Sequence, residues 1–421
     1  MKRNTQISRR LFIKQLGAAT APLVLPSRMF AAASPNAKLN IAVIGTGIRS
    51  LNLIEEALRQ GGNIVALCDV DAAQIADTKT KISKKLPDIG GAAMAKVRVY
   101  DDYRKLLEAE KSFDAVMIGT GSRWHAPLTV VFMKAGKHIY CEKPLVNKAT
   151  EAREIAALSR ASKVVTQTGT QGTSAKTFRR TMEIIEAGLL GQVREVHLWC
   201  CLFPMYPPSH NRPEGEDPVP TGFNWDFWLG PAPLRPFNRN RFHYNWHWNW
   251  DYGCGDMGNQ GVHEMDIARW GLGVTLPTKV CAMGGHVMFD DDQQTPNVLH
   301  AMFEFPNPAG GGEKKKFLQF EVRHWVTNNE IQVKEPVNDG TGGYGATSAG
   351  NSVGNLFYGS KGYMAKTVNA WQAFMGEKRE PGEAGKGEGN HYANFVNAIR
   401  DPHPETFNRS IEDGFHSCAL V

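Results

Sequence analysis

The apolar run Leu39-Asn40-Ile41-Ala42-Val43-Ile44 leads without a break into Gly45-Thr46-Gly47-Ile48-Arg49-Ser50, and helical spacing follows over residues 52–60. A short continuous apolar run of this kind reads as a buried parallel strand. A second strand is expected at 63–68 and a second helix at 71–85. Later strands fall at 113–118 and 137–140 around a helical 127–135, and the last strand lies at 163–167. Repeated β-α-β units of this length predict an α/β fold, with a doubly wound parallel sheet of the Rossmann kind over residues 38–171. A helix over 175–187, closed by Gly188, marks a change of pattern. Longer strands at 193–203, 279–289, 298–305 and 317–325 then predict a C-terminal α+β domain, residues 172–421, with a large and mostly antiparallel sheet. Residues 307–316 read as a solvated hairpin tip, and 338–355 and 376–390 as Gly-rich loops. A final helix opens near Ile411 and is still in pattern at Val421, so that end reads as truncated.

In the first turn, Gly45 permits a tight bend and Gly47 lets the backbone approach a pyrophosphate, whose charge meets the N-terminus of the next helix. Ser50 stands where a third glycine is usual, and is small enough to keep helix and strand close. Asp69 ends the second strand 24 residues after Gly45, near the spacing of a carboxylate that accepts ribose hydroxyls. Its charge would repel a 2′-phosphate, which favours NAD over NADP; Asp71 is placed to cap the following helix. The stretch Gly119-Thr120-Gly121-Ser122-Arg123-Trp124-His125-Ala126-Pro127 lies at the carboxyl end of a strand, where open parallel sheets bind ligands. His125 there either touches the cofactor or caps a helix. Cofactor contacts are thus expected from Gly45, Thr46, Gly47, Ile48, Arg49, Asp69, Gly119, Thr120 and His125.

The net charge of +6 suggests a polyanion partner until it is located. Residues 1–33 carry six Lys and Arg and no acid, so the remainder is neutral overall and has no general field for nucleic acid. Within them Ser8-Arg9-Arg10-Leu11-Phe12-Ile13-Lys14 precedes a modest apolar stretch and Ala31-Ala32-Ala33, the order of a twin-arginine export signal with its cleavage site. The expectation is a periplasmic protein delivered by the twin-arginine machinery, with no stable membrane anchor, since the apolar stretch is short for a bilayer. The seven cysteines are scattered and include no CxxC pair; Cys200 and Cys201, in one strand, should face opposite sides.

Glu142-Lys143-Pro144 follows the strand ending Tyr140-Cys141. Further marks are Trp225-Asp226-Phe227-Trp228-Leu229-Gly230-Pro231, the run Gly261-Val262-His263-Glu264-Met265-Asp266-Ile267-Ala268-Arg269-Trp270, and Phe357-Tyr358-Gly359-Ser360-Lys361-Gly362. With the nucleotide turn, and over nearly all the chain after Lys38, these resemble the Gfo/Idh/MocA family of glucose–fructose oxidoreductase and inositol dehydrogenase, in an exported, twin-arginine branch. The resemblance implies that Glu142 and Lys143 lie at the cofactor and that Lys143 approaches both nicotinamide and reacting hydroxyl, across a Lys–Pro bond that is often cis. Beside a positive ring the ammonium is disfavoured, so the amine can help move a proton. His263 is, by the same resemblance, the active-site histidine. Members of the family commonly place Asp four residues before this His; here that position is Asn259, and an acid stands at Asp256 instead. Either Asp256 has taken over the acid role, or Lys143 and His263 do the proton work alone while the Asn259 amide orients a hydroxyl. No HExxH occurs, and His243 and His247 are four apart in a stretch with no clear helical pattern, so no metal site is expected.

Five of the ten tryptophans fall between Trp225 and Trp250. Alternation in Asn245-Trp246-His247-Trp248-Asn249-Trp250 predicts an extended segment with aromatic and polar faces. Tyr244, Trp246, Arg241 and Asn259 are candidates for a sugar, whose C–H face stacks on rings while its rim hydrogen-bonds; some of the rings should instead form core. The reading is an NAD-dependent oxidoreductase acting on the CH-OH group of a sugar, holding its nucleotide tightly outside the cytoplasm. The alternative is a glycosidase that uses retained NAD for transient oxidation, elimination and water addition. Exposed faces of large sheets in such proteins often pair, so a homo-oligomer is expected.

Overall fold

A computed structural model describes residues 38–201, 215–287, 293–306, 315–324, 353–367, 370–401 and 410–421. The proposed export segment, residues 1–33, lies outside them.

The first half builds β1 (Asn40–Ile44), α1 (Ile48–Arg59), β2 (Asn63–Cys68), α2 (Ala72–Lys85), α3 (Gly90–Lys96), β3 (Arg98–Tyr100), α4 (Tyr103–Ala109), β4 (Ala115–Ile118), α5 (His125–Lys134), β5 (His138–Cys141), α6 (Ala149–Ala161) and β6 (Thr166–Thr168). The six strands form one parallel sheet in the order β3-β2-β1-β4-β5-β6. Because side chains alternate along a strand, β1 feeds Ala42 and Ile44 to one core and Ile41 and Val43 to another, on opposite faces of the sheet. Burial on both faces explains why β1 and β4 read as unbroken apolar runs. Asp71 caps α2, its carboxylate accepting from the N–H groups of Ala73 and Gln74. Strand β3 and helix α3 were not expected. Arg98-Val99-Tyr100 is a partly exposed edge strand of three residues, too short to show a period.

The second half builds α7 (Lys176–Glu186), β7 (Glu195–Cys200), α8 (Trp225–Leu229), α9 (Gly255–Asn259), α10 (Gly261–Leu272), β8 (Lys279–Gly285), β9 (Val298–Phe305), β10 (Lys316–Arg323), β11 (Val353–Tyr358), β12 (Gly362–Lys366), β13 (Ala370–Met375), β14 (Glu380–Lys386), α11 (His391–Arg400) and α12 (Ile411–Cys418). Eight strands join in the order β14-β13-β12-β11-β7-β10-β9-β8, antiparallel except where β10 runs beside β7. One face packs on α7 and α10, with Phe178, Met182, Met265 and Leu272 against Leu198, Phe303, Phe320 and Phe357. At the other end of the sheet the strands lie bare, with Met283 82% exposed.

Helix α10 sits close on the sheet because it carries glycine where it meets two rings. A Cβ at Gly261 would come within 2.2 Å of Phe320, and one at Gly271 within 2.2 Å of Phe357. Cys200 and Cys201 fall in separate apolar clusters, as alternation requires. Three expectations are corrected. The stretch 376–390 is not all loop but contains β14, whose Pro, Gly and charged residues suit an exposed edge. Of 338–355, the residues 353–355 open β11, and 338–352 lie outside the described residues, as do 307–314 of the expected hairpin tip. The aromatic stretch is not extended: His243–Trp248 forms a 3₁₀ helix. The last helix closes at Cys418, with Ala419 as its C-cap.

Two long-range fastenings join the halves. Residues 222–224 reach across to the end of β2: Ala72 donates from its N–H to the Gly222 carbonyl at 3.1 Å, and Asn224 to Val70 at 2.9 Å. Helix α12 reaches back from the end of the chain. The Leu145 N–H donates to Cys418 Sγ at 3.2 Å, Ser417 Oγ donates to Asp266 at 2.6 Å, and Arg269 donates to Ser417 at 2.9 Å.

Candidate active site

At the carboxyl ends of β1, β2, β4 and β5 the two halves enclose a cavity of about 1020 Å³, at the upper end of the range for small-molecule sites. Gly45, Gly47, Ile48, Arg49, Asp69, Gly119, Thr120, His125, Glu142 and Lys143 all line it; Thr46 lies fully buried behind.

The turn is built by close backbone approach. Gly45 has φ +80°, and a Cβ there would come within 2.8 Å of the Gly119 carbonyl. A Cβ on Gly119 would in turn lie 2.2 Å from Ser50 Oγ, so serine in the third glycine place is tolerated because residue 119 is glycine. That Ser50 hydroxyl is buried without a protein partner. At Gly47 the Cβ position is open space facing the cavity, and no side chain caps α1. Asp69 accepts from the N–H and hydroxyl of Thr46 at 2.6 and 2.9 Å through one oxygen, and from the Asp71 N–H at 3.1 Å through the other. Burial raises its pKa, against the pull of the Thr46 donors. An open cradle over Gly47, an uncapped helix start and a carboxylate at the cavity wall are the donor and acceptor set that a dinucleotide fits.

His125 opens α5, but its role is bracing. Its ring nitrogens stand 2.7 Å from the Pro144 carbonyl and 3.0 Å from that of Thr120, and burial pushes its pKa down. Glu142 is likewise an anchor: it is buried, with Arg49 Nε at 2.7 Å and Gln171 Nε2 at 2.9 Å, and Gly169 leaves room for it. The pair ties the 142–144 loop, with its cis Lys143–Pro144 bond, to the nucleotide turn. Gln171 gave no signal in the sequence.

Lys143 Nζ donates to the main-chain oxygen and to Oδ1 of Asn259, each at 2.9 Å. Burial pushes the ammonium's pKa down; Glu142 opposes this and Arg49 adds to it. His263, in the first turn of α10, lines the same cavity, and its pKa falls well below the ordinary value through burial and the Lys143 charge. Asp256 does not share the wall. It is buried behind Asn259, with Asn259 Nδ2 at 3.4 Å and His324 Nε2 at 2.7 Å, so of the two readings of the displaced acid, direct contact with a ligand is not available to it. Trp270, at the end of the run that carries His263, is 44% exposed and packs edge-on against Phe178.

Tyr244, Trp246 and His247 of the 3₁₀ helix line the cavity, and Arg241 lies outside the lining, near the Pro236 carbonyl. Trp225 and Phe237 are core; Trp228, stacked on Trp225 at 4.7 Å, and Phe223 pack with them and also line the cavity. Beyond His263, the cavity residues that escaped the sequence reading include Gln260, Glu264, Asn355, Lys366 and Thr367. Burial raises the Glu264 pKa to about 7, and Asn355 Nδ2 donates to the Glu264 main-chain oxygen at 2.9 Å. Asn355 and Lys366 lie on strands that otherwise pattern as core, so only the folded sheet shows what they meet. Among the described residues no group of three or more His, Cys, Asp or Glu is placed to hold a metal ion, and no helix is long and apolar enough to cross a membrane.

The family described as "Oxidoreductase family, NAD-binding Rossmann fold" matches residues 39–170, and its C-terminal alpha/beta domain matches residues 205–302. A glycosyl hydrolase family 109 protein of Stenotrophomonas maltophilia is 34% identical over 140 residues, 32% of this chain and 29% of that protein. Myo-inositol 2-dehydrogenase of Thermotoga maritima is 24% identical over 160 residues, 37% of this chain and 42% of that one. The chain thus matches less than half the length of these curated relatives. In fold it is similar to the WlbA dehydrogenase from Bordetella pertussis, solved with NADH and UDP-GlcNAcA, at a TM-score of 0.59 and 16% identity over 91% of this chain and 94% of that one. The turn at Gly45–Ser50, the parallel sheet beneath it and the second domain closing over it agree with these matches: the chain belongs to the Gfo/Idh/MocA oxidoreductase family, with an NAD-binding Rossmann domain at its N-terminal side.

Proposed function

We propose that the protein is an NAD-dependent oxidoreductase acting on a carbinol carbon of a sugar or sugar derivative. The observation that carries this reading is that Lys143 and His263, from different domains, line one cavity with the nucleotide turn. Bound NAD would supply a hydride acceptor. Arg49, Gly47 and Asp69 are the residues to hold it, and the remaining chemistry falls to the chain's own groups. A substrate hydroxyl at Lys143 Nζ meets an amine whose burial favours the neutral form, able to take up a proton. His263, kept neutral, can accept or donate a hydrogen bond to the same or the neighbouring hydroxyl. Tyr244 and Trp246 offer ring surface to the sugar.

A second reading is favoured by the glycosyl hydrolase family 109 relative: the same oxidation, made transient, would acidify the neighbouring C–H so that an aglycone is eliminated, water added and the hydroxyl restored. Purified protein incubated with glycosides and no added nucleotide separates the two. A lasting keto-sugar marks net oxidation, and free sugar without net oxidation marks hydrolysis. In both, Lys143→Ala abolishes turnover while leaving nucleotide bound; unchanged turnover would remove Lys143 from the chemistry. The basic, acid-free start of the chain supports delivery of the folded protein to the periplasm by the twin-arginine machinery. Replacing Arg9 and Arg10 with Lys should strand it in the cytoplasm, read by cell fractionation.

A further inference from the structure

Both side-chain acceptor and main-chain acceptor of the Lys143 amine come from one residue, Asn259. A carboxamide is nearly symmetric in shape. Turned over, it would present Nδ2, a donor, to an ammonium that can only donate. What fixes its sense lies behind it. Asn259 Nδ2 faces Oδ1 of Asp256 at 3.4 Å, and Oδ2 of the same carboxylate has Trp248 Nε1 at 3.4 Å and His324 Nε2 at 2.7 Å, the last close but aimed off the N–H line. The Asp256 and His324 side chains have no exposed surface. His324 Nδ1 lies 3.3 Å from Gln293 Nε2, and the Gln293 amide is oriented by Thr295, whose hydroxyl donates to its oxygen at 3.1 Å. One assignment fits these contacts: Gln293 donates to Nδ1, the imidazole proton lies on the Nε2 side that faces the carboxylate, Asp256 is the anion, and Asn259 donates to it.

We propose that Asp256, backed by His324, is a positioning residue that sets the sense of the Asn259 amide and through it the place of the Lys143 amine. The acid expected four residues before His263 is then one step removed here, acting through the Asn259 amide. The charged or titratable groups around Lys143 are Glu142, Arg49, Cys254 and Asp256 together with His125, His247, His263 and Glu264, and His247 joins His324 around Asp256. The proposal rests on Lys143 being the proton-handling group, but its main test reads Lys143 whether or not turnover depends on it.

That test is competitive acetylation of the native full-length chain across pH, with the Lys143 peptide followed by mass spectrometry to give the amine's titration midpoint. In Asp256→Asn an amide N–H can confront that of Asn259, the Asn259 side chain turns, and Lys143 loses an acceptor and a nearby anion. The midpoint should fall, and kcat should drop about ten- to a hundredfold with KM little changed. The exchange Asp256→Asn with Asn259→Asp puts the carboxylate directly on Lys143 with an amide behind it. It should return the midpoint to or above the wild-type value and restore kcat, which a merely structural role would not do. His324→Gln keeps a donor to Asp256 and should stay near wild type, whereas His324→Leu should resemble Asp256→Asn. If Asp256→Asn does not fold, His324→Leu and the exchange variant decide. An unchanged Lys143 midpoint in the folded single variants, or an exchange that fails to restore it, overturns the proposal. Turnover indifferent to Lys143→Ala would instead overturn the functional reading and leave the labelling result standing.

Discussion

A methyl group at residue 45 would be held at positive φ and driven against the Gly119 carbonyl, whereas one at residue 47 would meet only the cavity. Gly45→Ala is expected to cost about 1–3 kcal/mol of stability and to weaken nucleotide uptake. Gly47→Ala should keep the stability and lose only the uptake. Denaturant titration and NADH fluorescence measure the two effects separately. Glu264 carries a different constraint. Burial raises its pKa to about 7 from an ordinary 4.5, so the folded state holds a proton that the unfolded state has released. Its stabilising effect is therefore full below pH 4.5 and is lost as pH rises through 7, by about 3 kcal/mol in all. Denaturation of wild type and Glu264→Gln at pH 5 and pH 8 should show the difference between them move by that order, the wild type losing ground at the higher pH. Lys143, His263 and Asp69 were legible in the sequence because each sits in a local pattern with a strand or helix beside it. Lys366 and Gln171 were not, since nothing near them in sequence says what they face; the sheet brings Lys366 to the cavity, and Gln171 meets Glu142 and Tyr140 only across the fold.

Helix α10 delivers His263, and its height above the sheet is set by two glycines. Gly271→Ala would press a methyl on Phe357 at the far end from the histidine; the expected loss is about 1–3 kcal/mol by overpacking, read by denaturant unfolding. Gly261→Ala presses on Phe320 two residues from His263 and should lower turnover as well. Elements with a strong apolar run or period, such as β1, β2, β9 and α7, were legible to within a few residues. Those lost were the ones whose form is set by neighbours. Tyr244 to Trp248 alternate aromatic and polar residues like a strand, yet the His247 ring turns back to the Tyr244 carbonyl at 2.6 Å and stacks on Trp246 at 3.6 Å, which closes a 3₁₀ turn instead. Strand β14, with Pro381 and three glycine or alanine residues, forms because β13 offers it a ladder, not because its own residues favour extension.

The dinucleotide cradle is closed by residues from both halves, and residues 222–224 are bonded over the end of β2. Occupancy should therefore stabilise the whole chain: at a free NAD concentration a hundred times its dissociation constant the gain is about 2.7 kcal/mol. Stripping the nucleotide should lower the thermal midpoint, and re-addition should restore it in a concentration-dependent way. The two-domain plan was readable from the change of strand pattern after Gly188, but the fastenings between the halves were not, since they join main-chain groups or small polar residues far apart in the chain. One of them bears on how the protein is made. Leu145, in the loop that bears Lys143, waits for the Cys418 sulfur, 273 residues later in the chain. At about 5–20 residues per second a ribosome needs roughly 14 to 55 s to supply it. The loop that bears Lys143 consequently stays unlatched on a nascent chain for that interval, and the Lys143 side of the pocket sets last.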